Sequence, residues 1–252
     1  MIKFFRHFRQ RLIGENRFSK YVLYAIGEII LVVIGILIAL QINNWNEDKK
    51  SRKEQQKILI ELKDEFKSNQ DALRIIKEQH KFVMLKAEEL SQMMSPNPKV
   101  VETEKLDSIM YAMVFLPEFN AVNRLTMSDR ITLLDDALKN DIAFWKSKYD
   151  EYKYSIKITY NLYMDYIYPF VSENYQLKNI KSSMFETDKS YFENETMTIL
   201  SNPAFENHVK MRSLNAQLLF NRANDLYNAQ NTILESIDKL KKIEVTYTRT
   251  NR

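Results

Sequence analysis

The sequence predicts an all-α protein, in which a single N-terminal transmembrane helix continues into an antiparallel helical bundle. Among the 252 residues there are only three glycines, none of them after residue 35, and five prolines. Strands joined by tight turns need more of both residue types. A long apolar run is followed by stretches in which apolar residues recur every three or four positions. That spacing is typical of amphipathic helices.

The composition excludes several kinds of functional site. The chain has no cysteine, which excludes disulfides, thiolate metal sites and cysteine nucleophiles. The scarcity of glycine excludes phosphate-binding loops of the Walker and Rossmann types. The three histidines lack the E-x-x-H and H-E-x-x-H spacings that place metal ligands on one helix face. No serine or threonine lies in a catalytic motif, so we expect no metal, no cofactor and no enzymatic activity.

The net positive charge of the chain is confined to its first 20 residues. Residues 1–20 hold six Lys and Arg against Glu15, whereas residues 43–252 hold 31 basic and 31 acidic residues. A nucleic-acid-binding protein carries a basic face on its folded domain. The balanced charge of residues 43–252 therefore predicts no nucleic-acid partner.

The apolar run is long enough to cross a membrane. Residues 21–42 contain one charged side chain, that of Glu28, and 22 helical residues span a hydrocarbon core of about 30 Å. Tyr24 and Trp45 lie about 31 Å apart along a helix, where aromatic residues meet the bilayer interface. The exit sequence "IALQINNW" has no small-residue cleavage site. We therefore predict an uncleaved anchor at residues 21–45.

The anchor separates two further predicted parts of the chain. Residues 1–20 form a basic arm, and residues 46–252 form the helical bundle domain. If the arm is helical, one of its faces is apolar, which is typical of a helix on an anionic leaflet. That face contains Phe4, Phe5, Phe8 and Leu12. The alternative is a plain charged flank that orients the anchor.

The orientation of the anchor depends on details of its flanks. The 15 residues before the apolar run and the 15 after it each contain five Lys and Arg, so the count alone does not decide. Lys20 directly precedes the apolar run, whereas the other flank begins with the neutral sequence "NNWN". These details favour a cytoplasmic N-terminus and a bundle outside the cytoplasm.

Glu28 lies one helical turn inside the predicted interface. A carboxylate at that depth is either tolerated, because it can reach water, or makes a polar contact with another transmembrane helix. Gly35 and Ala39 form a small-xxx-small pair that allows helices to approach closely. We therefore predict a helix–helix contact at Glu28, Gly35 and Ala39, with another protein or with a second copy of the chain.

The first 50 residues resemble an uncharacterised family of single-pass membrane proteins from Gram-negative bacteria, a domain of unknown function. The matching features are the arm ending "NRFSKY" (16–21), the core "IGEI" (26–29) and the exit "IALQINNWN" (38–46). The stretch "ITLLDDALKNDIAFWKSKY" (131–149) resembles a second, weaker family motif. The resemblance implies a bacterial inner-membrane anchor followed by a helical region, and it implies no activity.

Three long amphipathic helices are predicted beyond the anchor. The first runs from the membrane to "SPNPK" (95–99), and a shorter one covers residues 103–116. The second long helix starts at Asp135 or Asp136 and stops near Pro169. Its apolar stripe contains Leu138, Ile142, Trp145, Tyr149, Tyr152, Ile156, Tyr160, Tyr163 and Ile167. Asn202 and Pro203 begin the last helix.

Polar residues interrupt two of these stripes. His80 lies on the stripe of the first helix and Arg212 on that of the last. A buried histidine or arginine needs a partner, so each either sets the helix register or contacts a ligand. Eight tyrosines between residues 149 and 175 allow an aromatic pocket, although core packing explains them more simply.

These features favour a membrane-anchored interaction or scaffold component of the cell envelope, whose partners are the lipid bilayer and a protein or a second copy. The alternative is an extracytoplasmic ligand-sensing module that signals through a membrane partner. A membrane enzyme of unrecognised type is the third hypothesis. Fold alone does not choose among them.

Overall fold

The computed structural model describes residues 18–180, 189–192 and 194–250, without the side chains of residues 18–21, 24 and 243–250. Residues 1–17 of the predicted arm and the interfacial side chain of Tyr24 therefore lie outside the described part. All regular structure in the described part is helical, so the predicted all-α class is confirmed. The chain divides into two compact units between Lys57 and Ile58.

Helix α1, Phe18–Met93, carries the predicted apolar run and the first stripe. No glycine or proline lies between Gly35 and Pro96 to interrupt it. It ends at Met93, one residue short of the "SPNP" sequence that was predicted to end it, because a residue that precedes proline is disfavoured in helical geometry. The shorter helix α2, Thr103–Val114, also lies where its periodicity predicts it.

Helix α3, Asp136–Leu162, begins at its predicted cap. The Asp135 carboxylate accepts the backbone N–H of Ala137 at 2.9 Å, which satisfies one of the donors that a helix start leaves free. A 3₁₀ turn, Asp129–Leu133, precedes it.

The prediction that this helix stops near Pro169 is wrong. A π-helical turn, Tyr163–Ile167, follows α3 and leads directly into helix α4, Tyr168–Asn174. Proline lacks the N–H that a helix interior requires, but it is tolerated in a first turn. The π turn widens the helix just before Pro169, which places the proline in the first turn of a new helical segment.

Two further helices complete the part of the chain that the structure describes. A 3₁₀ turn, Leu177–Asn179, and the short helix α5, Thr196–Leu200, precede helix α6, Pro203–Thr250. The Asn202 side chain accepts the N–H groups of Ala204 and Phe205 at 2.9 and 3.2 Å. The predicted Asn–Pro start of the last helix is thus confirmed.

Side-chain pairs in the unit from Ile58 onward show that α6 runs antiparallel to both α1 and α3. On the α1 side, Gln70 bonds Asn231, and Lys63 pairs with Asp238. On the α3 side, Glu151 pairs with Arg222 and Asp141 accepts the hydroxyl of Ser236. In both series the residue number rises on one helix as it falls on the other. The predicted antiparallel bundle is confirmed.

The bundle has two apolar cores, one after the other along its helices. Core 1 contains Leu62, Phe66 and Leu73 of α1, Trp145 of α3, and Leu219, Leu226 and Ile233 of α6. Core 2 contains Ala87 and Leu90 of α1, Met110 of α2, Tyr163 and Ile167 after α3, and Phe205 and Val209 of α6. The predicted stripes supply most of these side chains.

The predicted stripe of α3 is wrong at one position. Tyr160 is 52% exposed, whereas Ser155 and Thr159 are buried. The buried face therefore passes through residues 152, 155, 159 and 163. The apolar pattern could not reveal this path, because the side chains that occupy the core at two of these positions are polar.

Candidate functional site

The apolar stretch of α1 exposes its large apolar side chains. Its large apolar side chains from Val22 to Trp45 are all exposed, and Leu31 is 74% exposed. None of its most apolar window is buried, and α1 is long and apolar enough to cross a membrane. A contiguous apolar surface of this size indicates that a membrane or another molecule covers it.

The three predicted contact residues lie on one face of this stretch. Glu28, Gly35 and Ala39 are seven and four positions apart in a continuous helix, so they lie within about 40° of one another. A Cβ added at Gly35 would meet nothing within 4 Å. At Gly35, therefore, no described side chain stands in the way of close approach by another helix. Just beyond it, the Lys49 ammonium lies 5.3 Å from the Trp45 ring.

The two polar residues predicted in the stripes lie together in the fold. His80 and Arg212 are each 1% exposed, and the charge of Arg212 is one cause of a lowered His80 pKa. Together with buried polar residues of α3 and α6 they form what we term the polar layer, which separates core 1 from core 2. Its members are His80, Ser155, Thr159, Arg212 and Ser213.

Arg212 caps the C-terminal end of α2. Its guanidinium donates to the carbonyl of Ala112 at 3.1 Å and to that of Phe115, the residue that follows the helix. The last carbonyls of a helix lack partners within the helix and carry partial negative charge. Burial lowers the pKa of Arg212 to about 10, so the side chain is still charged at neutral pH.

His80 is held neutral within a chain of hydrogen bonds. Its Nε2 lies 3.0 Å from the hydroxyl of Tyr152, which accepts the backbone N–H of Phe119 at 3.1 Å. Which of the two groups donates depends on the histidine tautomer, because the hydroxyl has one proton to donate and a further lone pair with which to accept. Burial, helped by the charge of Arg212, lowers the pKa of His80 to about 4. Burial likewise raises the pKa of Tyr152.

We expect Tyr152→Phe to lower the free energy of unfolding by about 2 kcal/mol, because it leaves the N–H of Phe119 and the Nε2 of His80 buried without a partner. Tyr149→Phe is the matched control. Its hydroxyl accepts the N–H of Ala121, at 3.1 Å, in a partly buried position, so about 1 kcal/mol is expected. Urea unfolding of the full chain in detergent, followed by circular dichroism, measures both. Equal losses would contradict the role given to Tyr152.

A segment that sequence analysis missed connects these side chains. Residues 115–128, which we term the strap, follow α2 and lie along α1 and α3. Asn69 of α1 bonds both backbone groups of Val122, each at 2.7 Å, and Glu65 accepts the N–H of Leu125 at 3.1 Å. Asn69 is 2% exposed. Its place in an apolar stripe signalled a buried polar contact, but not the segment that it binds.

A second buried contact that sequence analysis missed holds the chain after α4. The carboxylate of Asp107, on α2, accepts the hydroxyl of Tyr175 at 2.5 Å and the amide of Asn194 at 3.3 Å. Burial and the neighbouring carboxylate raise the pKa of Tyr175. Since an acidic residue in the middle of a short helix is usually exposed, nothing in the sequence indicated this contact.

The eight tyrosines do not converge on one place. Tyr152, Tyr163 and Tyr175 are buried, whereas Tyr154, Tyr160, Tyr166 and Tyr168 are exposed. Core packing accounts for the buried ones. Within the described residues, His, Asp and Glu side chains form no group that could hold a metal ion.

The described residues define an all-helical chain that combines a membrane-length apolar helix with a helical bundle containing a buried polar layer. The chain belongs to the family of unknown function DUF6090, whose model matches residues 28–216. The match extends over well over half of the chain and includes Glu28, His80 and Arg212. It confirms the resemblance to an uncharacterised family. Neither the curated proteins nor the solved structures give a match.

Proposed function

We propose that this chain is a membrane-anchored interaction or scaffold protein of the bacterial cell envelope. In this proposal α1 crosses the inner membrane once, the N-terminus is cytoplasmic and the bundle is periplasmic. The observation that carries the proposal is the apolar stretch from Val22 to Trp45, whose large apolar side chains are exposed wherever the structure describes them. No catalytic activity and no cofactor are part of it.

The lipid bilayer accounts best for the exposed stretch. Water does not tolerate a continuous apolar helix surface of this length, whereas a bilayer core of about 30 Å matches it. The Trp45 ring and the nearby Lys49 ammonium suit the interface, where an aromatic ring and a basic side chain meet the lipid headgroups. Lys20, next to the other end of the apolar run, favours a cytoplasmic N-terminus.

The polar layer favours an interaction role over ligand sensing. A ligand-binding site exposes polar groups that are free to bond the ligand. Arg212 and His80 instead bond the protein's own carbonyls and its own tyrosine. We therefore assign these two residues to the stability of the bundle, and the partner contact to the membrane helix or to the outside of the bundle.

The contact through the membrane helix predicts a specific mutational pattern. We expect Gly35→Leu to reduce co-purification of a partner, or self-association, at least fivefold in mild detergent, because a larger side chain prevents close helix approach. Since a Cβ at Gly35 meets nothing within 4 Å, the bundle itself should be unaffected. Cross-linking in membranes, followed by purification and mass spectrometry, measures the loss.

Leu37→Phe is the matched control, because residue 37 lies about 200° around the helix from residue 35. It adds bulk to the opposite face, and we expect it to keep the partner. Glu28→Gln tests the polar part of the same contact and should weaken it. If all three variants retain the same cross-linked species as the wild type, the face containing Gly35 is not an interaction surface.

A further inference from the structure

Helix α6 carries a second stripe, which faces outward, in addition to the one that fills the two cores. Met211, Leu214 and Leu218 are exposed, Leu214 by 53%, and they follow one another at steps of three and four residues. Asn207 and Asn221, which are also exposed, continue these steps at the two ends. In a helix the five positions lie within about 80° of one another. We term these five residues the outer stripe.

The outer stripe is uncharged, which is unusual for a helix face in contact with water. Between Met211 and Asn221 the only charged residue is Arg212, and its side chain is buried. The exposed face of α1, by contrast, has charged side chains among its apolar ones, namely Arg74, Glu78 and Lys81. An apolar stripe without interspersed charges is typical of a surface that another protein covers.

Helix α3 extends this surface on one side. Glu151 of α3 pairs with Arg222 of α6, and the two helices are antiparallel. Ile158, seven residues after Glu151, is therefore level with Leu214 and on the side of α3 that faces α6. It is 40% exposed. The resulting apolar patch is on the order of a few hundred Å², less than the ~800 Å² per partner of a standard protein interface.

The outer stripe fits a second copy of the same chain. Two copies anchored in one membrane by the same helix point the same way, so two α6 helices that meet side by side run parallel. About a two-fold axis each residue of such a pair meets its own counterpart. A charged residue would repel itself there, whereas leucine packs on leucine. An asparagine amide both donates and accepts, so it bonds an identical amide, and asparagine in such a seam fixes the register.

We propose that the outer stripe is the contact between two copies of this chain, which pair in parallel about a two-fold axis in the membrane. Met211, Leu214 and Leu218 form its apolar centre, and Asn207 and Asn221 bond their counterparts at its ends. This inference rests on the interaction role proposed above and names a second copy as the partner. Confinement in one membrane raises the effective concentration of the copies, which offsets the small area of the patch.

Disulfide cross-linking of the full-length protein in membranes tests the proposal, because the chain has no cysteine of its own. Met211→Cys and Leu218→Cys each place one thiol on the outer stripe. Ser68→Cys is the control, since residue 68 is exposed and lies on the opposite side of α1 from Gln70, which bonds α6. With a mild oxidant, we expect each stripe variant to form disulfide-linked dimers about tenfold faster than the control, because only matching thiols reach bonding distance.

Two results of this experiment would overturn the proposal. One is a rate for the stripe cysteines that is no higher than that of Ser68→Cys. The other is a cross-link that forms in a mixture of Met211→Cys and Leu218→Cys chains but in neither variant alone, because that pattern requires antiparallel helices. Membrane-bound protein with either result contradicts this inference alone, whereas protein in the soluble fraction contradicts the anchoring proposal.

A charge swap at Leu218 distinguishes a second copy from a different partner protein. In the Met211→Cys background, Leu218→Glu and Leu218→Lys each place like charges against each other, and each should slow cross-linking about fivefold. Co-expression of the two should restore the rate as a mixed dimer, because the charges are then opposite. Since Leu218 is exposed, helical circular dichroism should be unchanged. The proposal is overturned if the mixture cross-links no faster than either variant alone, or if the stripe cross-links only to another protein.

Discussion

Arg212→Met is expected to lower the free energy of unfolding by about 4 kcal/mol, the largest effect of any single substitution considered. The carbonyl of Ala112 would lose its donor and stay buried, at about 1–3 kcal/mol, and the partly buried carbonyl of Phe115 would lose its donor as well, at about 1 kcal/mol. The favourable interaction of the charge with the end of α2 would also be lost. Urea unfolding of the full chain in detergent measures the change.

Two variants make this measurement specific. Arg222→Met is the control. Arg222 lies on α6, like Arg212, and pairs with Glu151 of α3, but both of these side chains are 35% exposed. We expect it to cost about 1 kcal/mol or less. Arg212→Lys keeps the charge but not the forked donor geometry, and should recover less than half of the loss. An Arg212→Met loss no larger than that of Arg222→Met would contradict the capping role.

The second large effect is an acid-induced loss of stability at His80. Its pKa is about 4 in the folded protein against an ordinary value of 6.5. Between these two values the unfolded chain binds a proton that the folded chain does not, so stability falls as the pH falls. From pH 7.5 to pH 4 the loss attributable to His80 is about 3 kcal/mol, at about 1.4 kcal/mol per pKa unit.

His80→Gln isolates this contribution, because glutamine keeps an acceptor for Tyr152 but does not titrate. Burial also lowers the pKa of His208, which adds an effect of the same sign, and raises that of Glu65, which has the opposite sign. Both contributions are present in the variant as well. The difference in unfolding free energy between wild type and variant should therefore change by about 3 kcal/mol over this pH range. A constant difference would contradict a buried neutral histidine.

Local signals in the sequence were enough to predict the helices and their faces. Asp135 and the Asn202–Pro203 pair cap helices through contacts within three residues, and the "SPNP" sequence ends α1 through backbone sterics. The spacing of apolar residues identified the buried faces of α1 and α6, because burial of a helix stripe drives the packing of such bundles. Each of these features acts within a few residues of chain.

The partners of the buried polar residues could not be predicted, since they depend on contacts between distant parts of the chain. Arg212 bonds residues about 100 positions earlier, and Asn69 bonds a segment 53 positions later. The sequence marked Arg212 as a polar residue in an apolar stripe and left open whether a ligand or the protein itself satisfies it. The π turn before Pro169 was missed for a different reason, because Tyr163 and Ile167 continue the four-residue spacing of an ordinary helix.

The placement of the bundle relative to the membrane is the central claim, and one labelling measurement tests it most directly. The chain has no cysteine, and Ser95 is exposed just after α1, so Ser95→Cys supplies a single probe. Cells with a permeabilised outer membrane are treated with a maleimide that cannot cross the inner membrane. The account predicts labelling before lysis, with the labelled protein in the membrane fraction. Labelling only after lysis, or labelled protein in the soluble fraction, would contradict it.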